Sequence, residues 1–149
     1  MRALLQRVTR AEVRVSDEKI ASIGPGLVVL LGVGHSDDEA AATALARRVT
    51  ELRIFADDDG RTNRSILDTG GAALVVSQFT LYADTSRGRR PGFTNAAQPD
   101  LADRLYRRFA EELRAAGVGN VQTGSFGKEM QVELVNDGPF TLWLDTERV

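Results

Sequence analysis

The chain has 149 residues, of which 42% are hydrophobic and 27% are charged, and its formal net charge is −2 at pH 7. We expect one domain over residues 1–149, and no uncharged apolar stretch is long enough to cross a membrane. The lack of cysteine and the single histidine, His35, exclude disulfides, thiolate chemistry and the usual zinc sites.

The N-terminal residues favour a cytoplasmic protein that begins with a β-hairpin. The opening stretch MRALLQRVTR is too short and too charged to be a secretory signal. Strands are predicted at 3–8 and 12–15, and the polar residues 16–19 predict a turn that reverses the chain before Ile20. The apolar run 27–33 then predicts a strand that is buried on both faces, at the centre of a sheet.

An amphipathic helix is predicted next. The sequence Ser-Asp-Asp-Glu at 36–39 has the spacing of a capping box, in which the hydroxyl and the last carboxylate satisfy free amides at a helix start. The polar stretch 56–65 after the helix is expected to be a loop. The apolar face of the helix consists of Ala41, Leu45, Val49 and Leu52.

A second buried strand is predicted at 72–76, and it ends abruptly in Ser77, Gln78, Phe79 and Thr80. A sheet holds the residues at the end of a buried strand in fixed positions. Polar groups at such a place therefore favour a binding or catalytic role.

The remaining predicted elements are a long loop, a helix and two strands. Residues 84–98 form the loop, Pro99 suits the first turn of the helix, and Gly117 ends it. Strands are predicted around 128–135 and 140–145 from alternating apolar and polar residues. The element order predicts a mixed, largely antiparallel α/β domain with two main helices. The apolar stripe of the second helix consists of Leu101, Leu105, Phe109 and Leu113.

Three common chemistries find little support in the residues. A Ser-His-Asp hydrolase would have to use His35, and no serine lies in a nucleophile elbow. The acidic run 57–59 lacks the alternating spacing and the distal Glu of a calcium loop. The glycine turns GVGHSD and GPG lack dinucleotide and P-loop spacing, so no nucleotide cofactor is expected.

Two short stretches remain, SQFTLYAD at 77–84 and NDGPFT at 136–141. On the residues alone, the first is a strand end capped by Ser77 and Thr80, and the second is a turn at Gly138-Pro139. Further stretches accompany them along the whole chain. These are LLQRVTRAEV, GLVVLLGV, RIFAD, RGRRPGF and TGSFGKEMQVELVNDGP.

In this combination and order, the sequence closely resembles the D-aminoacyl-tRNA deacylase family, also called D-tyrosyl-tRNA deacylases. The resemblance implies a barrel-like sheet and a hydrolase that cleaves the ester between a D-amino acid and the terminal adenosine of tRNA. Glycine mischarged on tRNA-Ala is a further implied substrate, and chiral proofreading in translation is the implied role. The family also implies a cytoplasmic homodimer that binds the 3′ end of aminoacylated tRNA without a metal or an organic cofactor.

The strand end matches the first family signature, Ser-Gln-x-Thr, at Ser77, Gln78 and Thr80. The backbone amides of Gln78 and Phe79 are the expected donors to an oxyanion. No histidine or lysine in the motif would activate Thr80, so we expect its hydroxyl to form hydrogen bonds rather than to attack the substrate.

The second family signature, Asn-x-Gly-Pro-x-Thr, is matched by Asn136, Gly138, Pro139 and Thr141. In the family the Gly-Pro bond is cis, and the motif enters the active site of the partner subunit. We expect the carbonyls of Gly138 and Pro139 to bind the amino group and to exclude L side chains, which would make the motif a chirality gate. Phe140 departs from the family, which usually has Val after the proline.

Family position implies roles for four further residues, and each has an ordinary structural alternative. Phe126 and Met130 would line the site, or would be plain core residues. Ala102 would lie near the amino group of the substrate, or would pack a helix. Arg7 would brace the Gly-Pro segment, or would be a surface charge at a strand edge.

A basic loop lies close in sequence to the strand-end motif. Its arginines are expected to contact tRNA phosphates, although such a run is more often a solvated surface. The chain has Gly92 after the loop, where the family usually has Ser. A non-catalytic RNA-binding module and an ester hydrolase that uses His35 remain as alternatives. The predicted RNA contacts are Arg87, Arg89 and Arg90.

Overall fold

The computed structural model describes residues 1–148 and confirms a mixed, largely antiparallel α/β fold. The strands are β1 Arg2–Val15, β2 Glu18–Ile23, β3 Gly26–Gly32, β4 Phe55–Ala56, β5 Thr62–Arg64, β6 Ala72–Ser77, β7 Val121–Thr123 and β8 Gln131–Asp145. The helices are α1 Glu39–Glu51, α2 Ile66–Thr69 and α3 Pro99–Ala115, and 3₁₀ turns span Phe79–Tyr82 and Thr146–Arg148.

β1 organises the main sheet of six strands. It pairs antiparallel with β2, β3 and β8, and β3 continues the sheet by parallel pairing with β6, which pairs in parallel with β7. The predicted hairpin at 16–19 is confirmed. The strands predicted at 3–8 and 12–15 are one continuous strand, because Arg10 and Ala11 between them stay paired with β8.

The two faces of the sheet bury separate apolar cores. Leu27, Val29 and Leu31 of β3 pack in the core that includes α1 and α3, whereas Val28 lies in the core on the other face. β2 also contacts β6 and β7, with which it does not pair, so the second face curls into a nearly closed barrel. The prediction of a strand buried on both faces is confirmed, and alternate side chains of the apolar run enter different cores.

α1 and α3 pack against each other over the first face of the sheet. α3 begins at Pro99 and buries Leu105, Phe109 and Leu113, as its predicted stripe requires. Gly117 follows its end with a φ of 110°, a conformation that favours glycine. None of the helices within residues 1–148 is long and apolar enough to cross a membrane.

The predicted capping box at 36–39 is wrong, because the helix is capped by Asp38. The Asp38 carboxylate accepts a hydrogen bond from the Ala41 amide at 2.8 Å. The neighbouring Asp37 carboxylate accepts a bond from the Tyr82 hydroxyl at 3.2 Å. This contact with a distant part of the chain fixes the turn that precedes α1.

Two predicted boundaries in the second half also differ from the structure. The polar stretch 56–65 contains most of the β4–β5 hairpin and leads directly into α2, instead of forming a plain loop. The strands predicted at 128–135 and 140–145 are one strand, β8, because pairing with β1 resumes after a bulge. That bulge carries the second motif.

Candidate active site

A cavity of about 650 Å³ opens where β6 ends, beside the start of α3 and the loop that precedes β8. Its volume is typical of ligand sites, which span roughly 300–1,000 Å³. The structure therefore gathers one group of the predicted residues from distant parts of the chain. The members of this group that line the cavity are Ser77, Gln78, Phe79, Ala102, Phe126 and Met130.

The backbone turns sharply at the cavity, where β6 passes into a 3₁₀ turn. The Gln78 amide donates a hydrogen bond to the Leu31 carbonyl at 2.8 Å and so extends the pairing between β3 and β6. The prediction that this amide stabilises an oxyanion is therefore wrong. The amides of Phe79 and Thr80 have no hydrogen-bond partner within residues 1–148. Two adjacent donors are thus free at the start of the turn.

The Thr80 side chain is exposed, and its hydroxyl has no base beside it. Nε2 of Gln78 donates a hydrogen bond to Oγ1 of Thr80, and an amide N–H group cannot take up a proton. Among the cavity-lining residues, only Lys128 and Glu129 carry a charged side chain. The geometry suits a Thr80 hydroxyl that forms hydrogen bonds and does not act as a nucleophile.

Tyr106 of α3 supports the wall of the cavity that contains Phe126. Its hydroxyl donates a hydrogen bond to the Val75 carbonyl at 2.9 Å, and its ring centroid lies 5.9 Å from that of Phe126. Burial raises the pKa of Tyr106 to about 12, so the hydroxyl stays protonated at neutral pH and is no base there. Within residues 1–148, no group of three or more acidic or histidine side chains is placed to hold a metal ion.

The second motif, residues 136–141, is called the Gly-Pro segment from here on. Asn136 pairs with Val8 and Thr141 pairs with Gln6, so the bulge between them faces a single residue of β1. The Gly138-Pro139 bond is cis. Nδ2 of Asn136 donates to the Phe140 carbonyl at 3.1 Å and thereby closes the bulge on itself.

Arg7 is the residue of β1 that faces the bulge, and it contacts the Gly-Pro segment, the position that the family resemblance implies. Its Nε donates to the Asp137 carbonyl at 3.2 Å and lies 2.9 Å from the Asp137 carboxylate. Its guanidinium lies 4.2 Å from the centre of the Phe140 ring, a cation–π contact that the usual Val would not provide. A further bond to the Ile54 carbonyl holds the side chain, which is 12% exposed.

The Gly-Pro segment does not line the cavity of its own chain, and residues 136–139 are exposed. The predicted site residues therefore form two separate groups. β8 also exposes Val135 and Trp143, and within residues 1–148 it pairs with β1 alone, so one of its edges is open. A long open edge with apolar side chains is typical of a surface that binds another chain.

The basic loop is exposed, and its two ends are tied together. Asp84 and Gly92 exchange two backbone hydrogen bonds of 2.7 and 2.9 Å, which close the loop around its three arginines. His35 is exposed and does not line the cavity, so the structure gives no support to a hydrolase that uses it.

Sequence reasoning did not identify several residues that line the cavity, among them Phe93, Gln98, Lys128 and Glu129. Phe93 packs edge-to-face on Phe79, with ring centroids 5.0 Å apart. The signals for Phe93 were its place after the basic loop and within the family stretch RGRRPGF, but nothing in the sequence indicates that this loop folds back to the end of β6.

Comparison with known proteins assigns this arrangement to a family. The model of the family described as D-Tyr-tRNA(Tyr) deacylase matches residues 4–145. A D-aminoacyl-tRNA deacylase of Symbiobacterium thermophilum is 59% identical over 148 residues, which cover 99% of this chain and 97% of that protein. A protein of the same name from Roseiflexus sp. is 60% identical over 146 residues, 98% of this chain and 94% of that one.

Two solved structures share the fold. One, described as a c-Myc DNA unwinding element binding protein, is 39% identical with a TM-score of 0.92 and covers 97% of this chain and 98% of its own. The other, described as a probable eukaryotic D-amino acid tRNA deacylase, is 20% identical with a TM-score of 0.79 and covers 96% of this chain and 97% of its own. At 20% identity, the similarity to this second structure shows a shared fold and nothing more.

Proposed function

The chain belongs to the D-Tyr-tRNA(Tyr) deacylase family, and we propose that it hydrolyses the ester bond of D-aminoacyl-tRNA, releasing free D-amino acid and tRNA. The observation that carries the proposal is the cavity at the end of β6, beside which two backbone amides have no hydrogen-bond partner in the described residues 1–148. An aminoacyl ester is already activated, so positioning and charge stabilisation suffice for its hydrolysis. The proposed role is chiral proofreading of charged tRNA in the cytoplasm.

In the proposed reaction, water attacks the ester carbonyl carbon while the carbonyl oxygen gains negative charge. The amides of Phe79 and Thr80 donate hydrogen bonds to that oxygen, and a donor of this kind contributes roughly 100-fold or more in rate. The bond to the ribose oxygen then breaks, and this oxygen takes up the proton that the water has lost. The neighbouring ribose hydroxyl of the tRNA orients the water, because the cavity supplies no strong base.

The proposed selection of D-amino acids uses the Gly-Pro segment of a second copy of the chain. The carbonyls of Gly138 and Pro139 would accept hydrogen bonds from the ammonium group and stand beside the α-carbon. The hydrogen of a D-residue, or of glycine, fits against this wall, whereas an L side chain collides with it. Glycyl-tRNA is therefore a proposed second substrate.

A homodimer is proposed because the two groups of site residues lie apart in one chain. The exposed Gly-Pro segment and the open edge of β8 share one strand, so a second copy that packs along β8 also receives this segment. Arg7 would keep the segment in position until the partner cavity accepts it.

The direct test is release of D-tyrosine from D-Tyr-tRNA by the purified protein, with L-Tyr-tRNA as the comparison. We expect rapid release from the D ester and almost none from the L ester, and the same result with His35→Ala. One similar structure bears the name of a DNA-binding protein, so binding without hydrolysis is the second candidate function. Tight binding of D-Tyr-tRNA with no release of D-tyrosine would favour that candidate.

Thr80→Ala is expected to keep measurable deacylase activity, with a loss of at most about tenfold. The change removes one net hydrogen bond, roughly 0.5–1.5 kcal/mol, but leaves the backbone amide at this position. Single-turnover hydrolysis of D-Tyr-tRNA measures the effect. Complete loss of activity, together with an acyl group trapped on Thr80 of the wild type, would make Thr80 a nucleophile and contradict the proposed mechanism.

Replacing all three arginines of the basic loop by Ala should raise KM for D-Tyr-tRNA and leave kcat nearly unchanged. We expect the slope of log KM against log salt to fall by roughly two, since each of the three lost phosphate contacts removes about 0.7 units on a single strand. The matched control makes the same charge change on exposed positions of α1 and just after it, at Arg47, Arg48 and Arg53. Equal slopes for the two triple variants would place the RNA surface elsewhere.

A further inference from the structure

The Phe79 side chain is unusually exposed for a residue at the end of a buried strand. It is 54% exposed, while Val76 and Tyr82 on either side are buried. Its ring packs edge-to-face against Phe93 at a centroid distance of 5.0 Å and an interplanar angle of 69°. Both residues line the cavity, so their rings form an aromatic surface at its wall.

The backbone holds this aromatic pair in place. The turn that carries Phe79 is closed by a bond from the Leu81 amide to the Gln78 carbonyl at 3.2 Å. Phe93 follows the tied end of the basic loop, and its carbonyl accepts a bond from the Ala96 amide at 3.0 Å. These bonds fix the backbone that carries the two rings, and the contact between the rings restricts them further, so a flat ligand can stack on them at reduced entropic cost.

The surface beside the pair is positively charged. Within residues 1–148, none of the arginines of the adjoining loop is paired with a carboxylate. An aromatic surface next to unpaired guanidiniums is the combination by which proteins bind single-stranded nucleic acid, with bases stacked on the rings and phosphates on the charges. A second protein chain would not require these charges. The loop arginines are Arg87, Arg89 and Arg90.

We propose that the Phe79–Phe93 pair stacks the nucleobase that precedes the terminal adenosine of the tRNA. This inference rests on the proposed function, in which the terminal adenosine and its ester occupy the cavity. The penultimate cytosine of the single-stranded 3′ end then lies against the pair, and its phosphate faces the basic loop. The protein therefore binds at least the last two nucleotides of the flexible RNA end. Adenosine alone occupies only part of this binding site.

The test compares three D-tyrosyl esters, made on adenosine, on cytidylyl-adenosine and on the same dinucleotide with an abasic penultimate ribose. For the wild type we expect kcat/KM to rise on the order of tenfold from adenosine to cytidylyl-adenosine, and most of this gain to be absent with the abasic ester. Equal values for the cytidine and abasic esters would overturn the inference without any protein variant.

Phe93→Leu keeps an apolar side chain and removes the ring, whereas Phe93→Tyr keeps the ring. We expect the gain from cytidine to vanish in the Leu variant and to persist in the Tyr variant, with both proteins sedimenting as the wild type does. A full gain in Phe93→Leu would contradict the stack. Failure to hydrolyse any ester, including full D-Tyr-tRNA, would reject the proposed function itself, whereas hydrolysis without a cytidine gain rejects only the stack.

Discussion

Gly138→Ala is expected to fold as the wild type does and yet to lose on the order of 100-fold or more in hydrolysis of D-Tyr-tRNA. Apart from its two chain neighbours, a Cβ atom at Gly138 would meet only Oδ1 of Asn136 within 4 Å in residues 1–148, at an ordinary contact distance of 3.4 Å. The residue is exposed and has no positive φ, so the described part of the protomer gives no reason for a glycine here. In the proposed partner cavity, however, the added methyl group would occupy the space beside the substrate α-carbon.

Two measurements distinguish damage to the proposed wall from a folding defect in Gly138→Ala. The midpoint of thermal unfolding should change little in Gly138→Ala, while kcat/KM for the D ester falls. Gly119→Ala is the matched control, because a Cβ there meets no atom within 4 Å among the described residues and lies away from the motif. If Gly138→Ala kept wild-type activity, the Gly-Pro segment would be an ordinary exposed turn.

Introducing two charges on β8, with Val135→Glu and Trp143→Glu, is expected to produce a folded monomer that has lost nearly all deacylase activity. Val135 is 40% exposed and Trp143 is 46% exposed, so neither is essential to the protomer core. Burying two unpaired carboxylates in an interface would cost several kcal/mol, enough to dissociate a dimer. A monomer then lacks the Gly-Pro segment of its partner.

Sedimentation mass and single-turnover hydrolysis should fall together in this variant. Leu67→Glu is the control, because Leu67 is a similarly exposed apolar residue, at 40%, on the short helix α2. It should leave both mass and activity unchanged. A monomeric β8 variant with full activity would show that one chain contains a complete site.

Local patterns in the sequence predicted most of the fold. The run 27–33 was recognisable because alternate side chains enter two different cores, which requires every position to be apolar. The predictions were wrong where contacts between residues far apart in the sequence determine the local structure. The predicted capping box of Ser36 and Glu39 is wrong because Asp38 caps the helix, in a turn that Asp37 joins to the Met1 ammonium group and to the Tyr82 hydroxyl.

The residues of the candidate site that belong to sequence motifs were predictable. The residues and hydrogen bonds that depend on tertiary contacts were not. The Gln78 amide donates to the Leu31 carbonyl and is therefore not available to an oxyanion. The register between β3 and β6 sets this bond, and no local sequence pattern encodes that register. Phe93 reaches the cavity because the basic loop folds back, and that too depends on tertiary contacts. The bracing of the bulge by Arg7 was predicted from family position, whereas the packing of Phe140 on its guanidinium was not.

The central claim is that each site combines the cavity of one chain with the Gly-Pro segment of another. Two inactive variants test it when they are refolded together. Gly138→Ala damages only the segment. Phe79→Pro damages only the cavity, because it removes the aromatic ring and a backbone amide that has no hydrogen-bond partner in residues 1–148. In a hybrid dimer, one cavity with an intact amide meets an intact segment.

The decisive measurement is the hydrolysis rate of D-Tyr-tRNA by this refolded mixture. We expect about a quarter of the wild-type rate, because half of the randomly formed dimers are hybrids and each hybrid has one intact site of two. Each variant refolded alone should stay inactive. A mixture as inactive as its two components would contradict the claim and place the cavity and the Gly-Pro segment of each working site in the same chain.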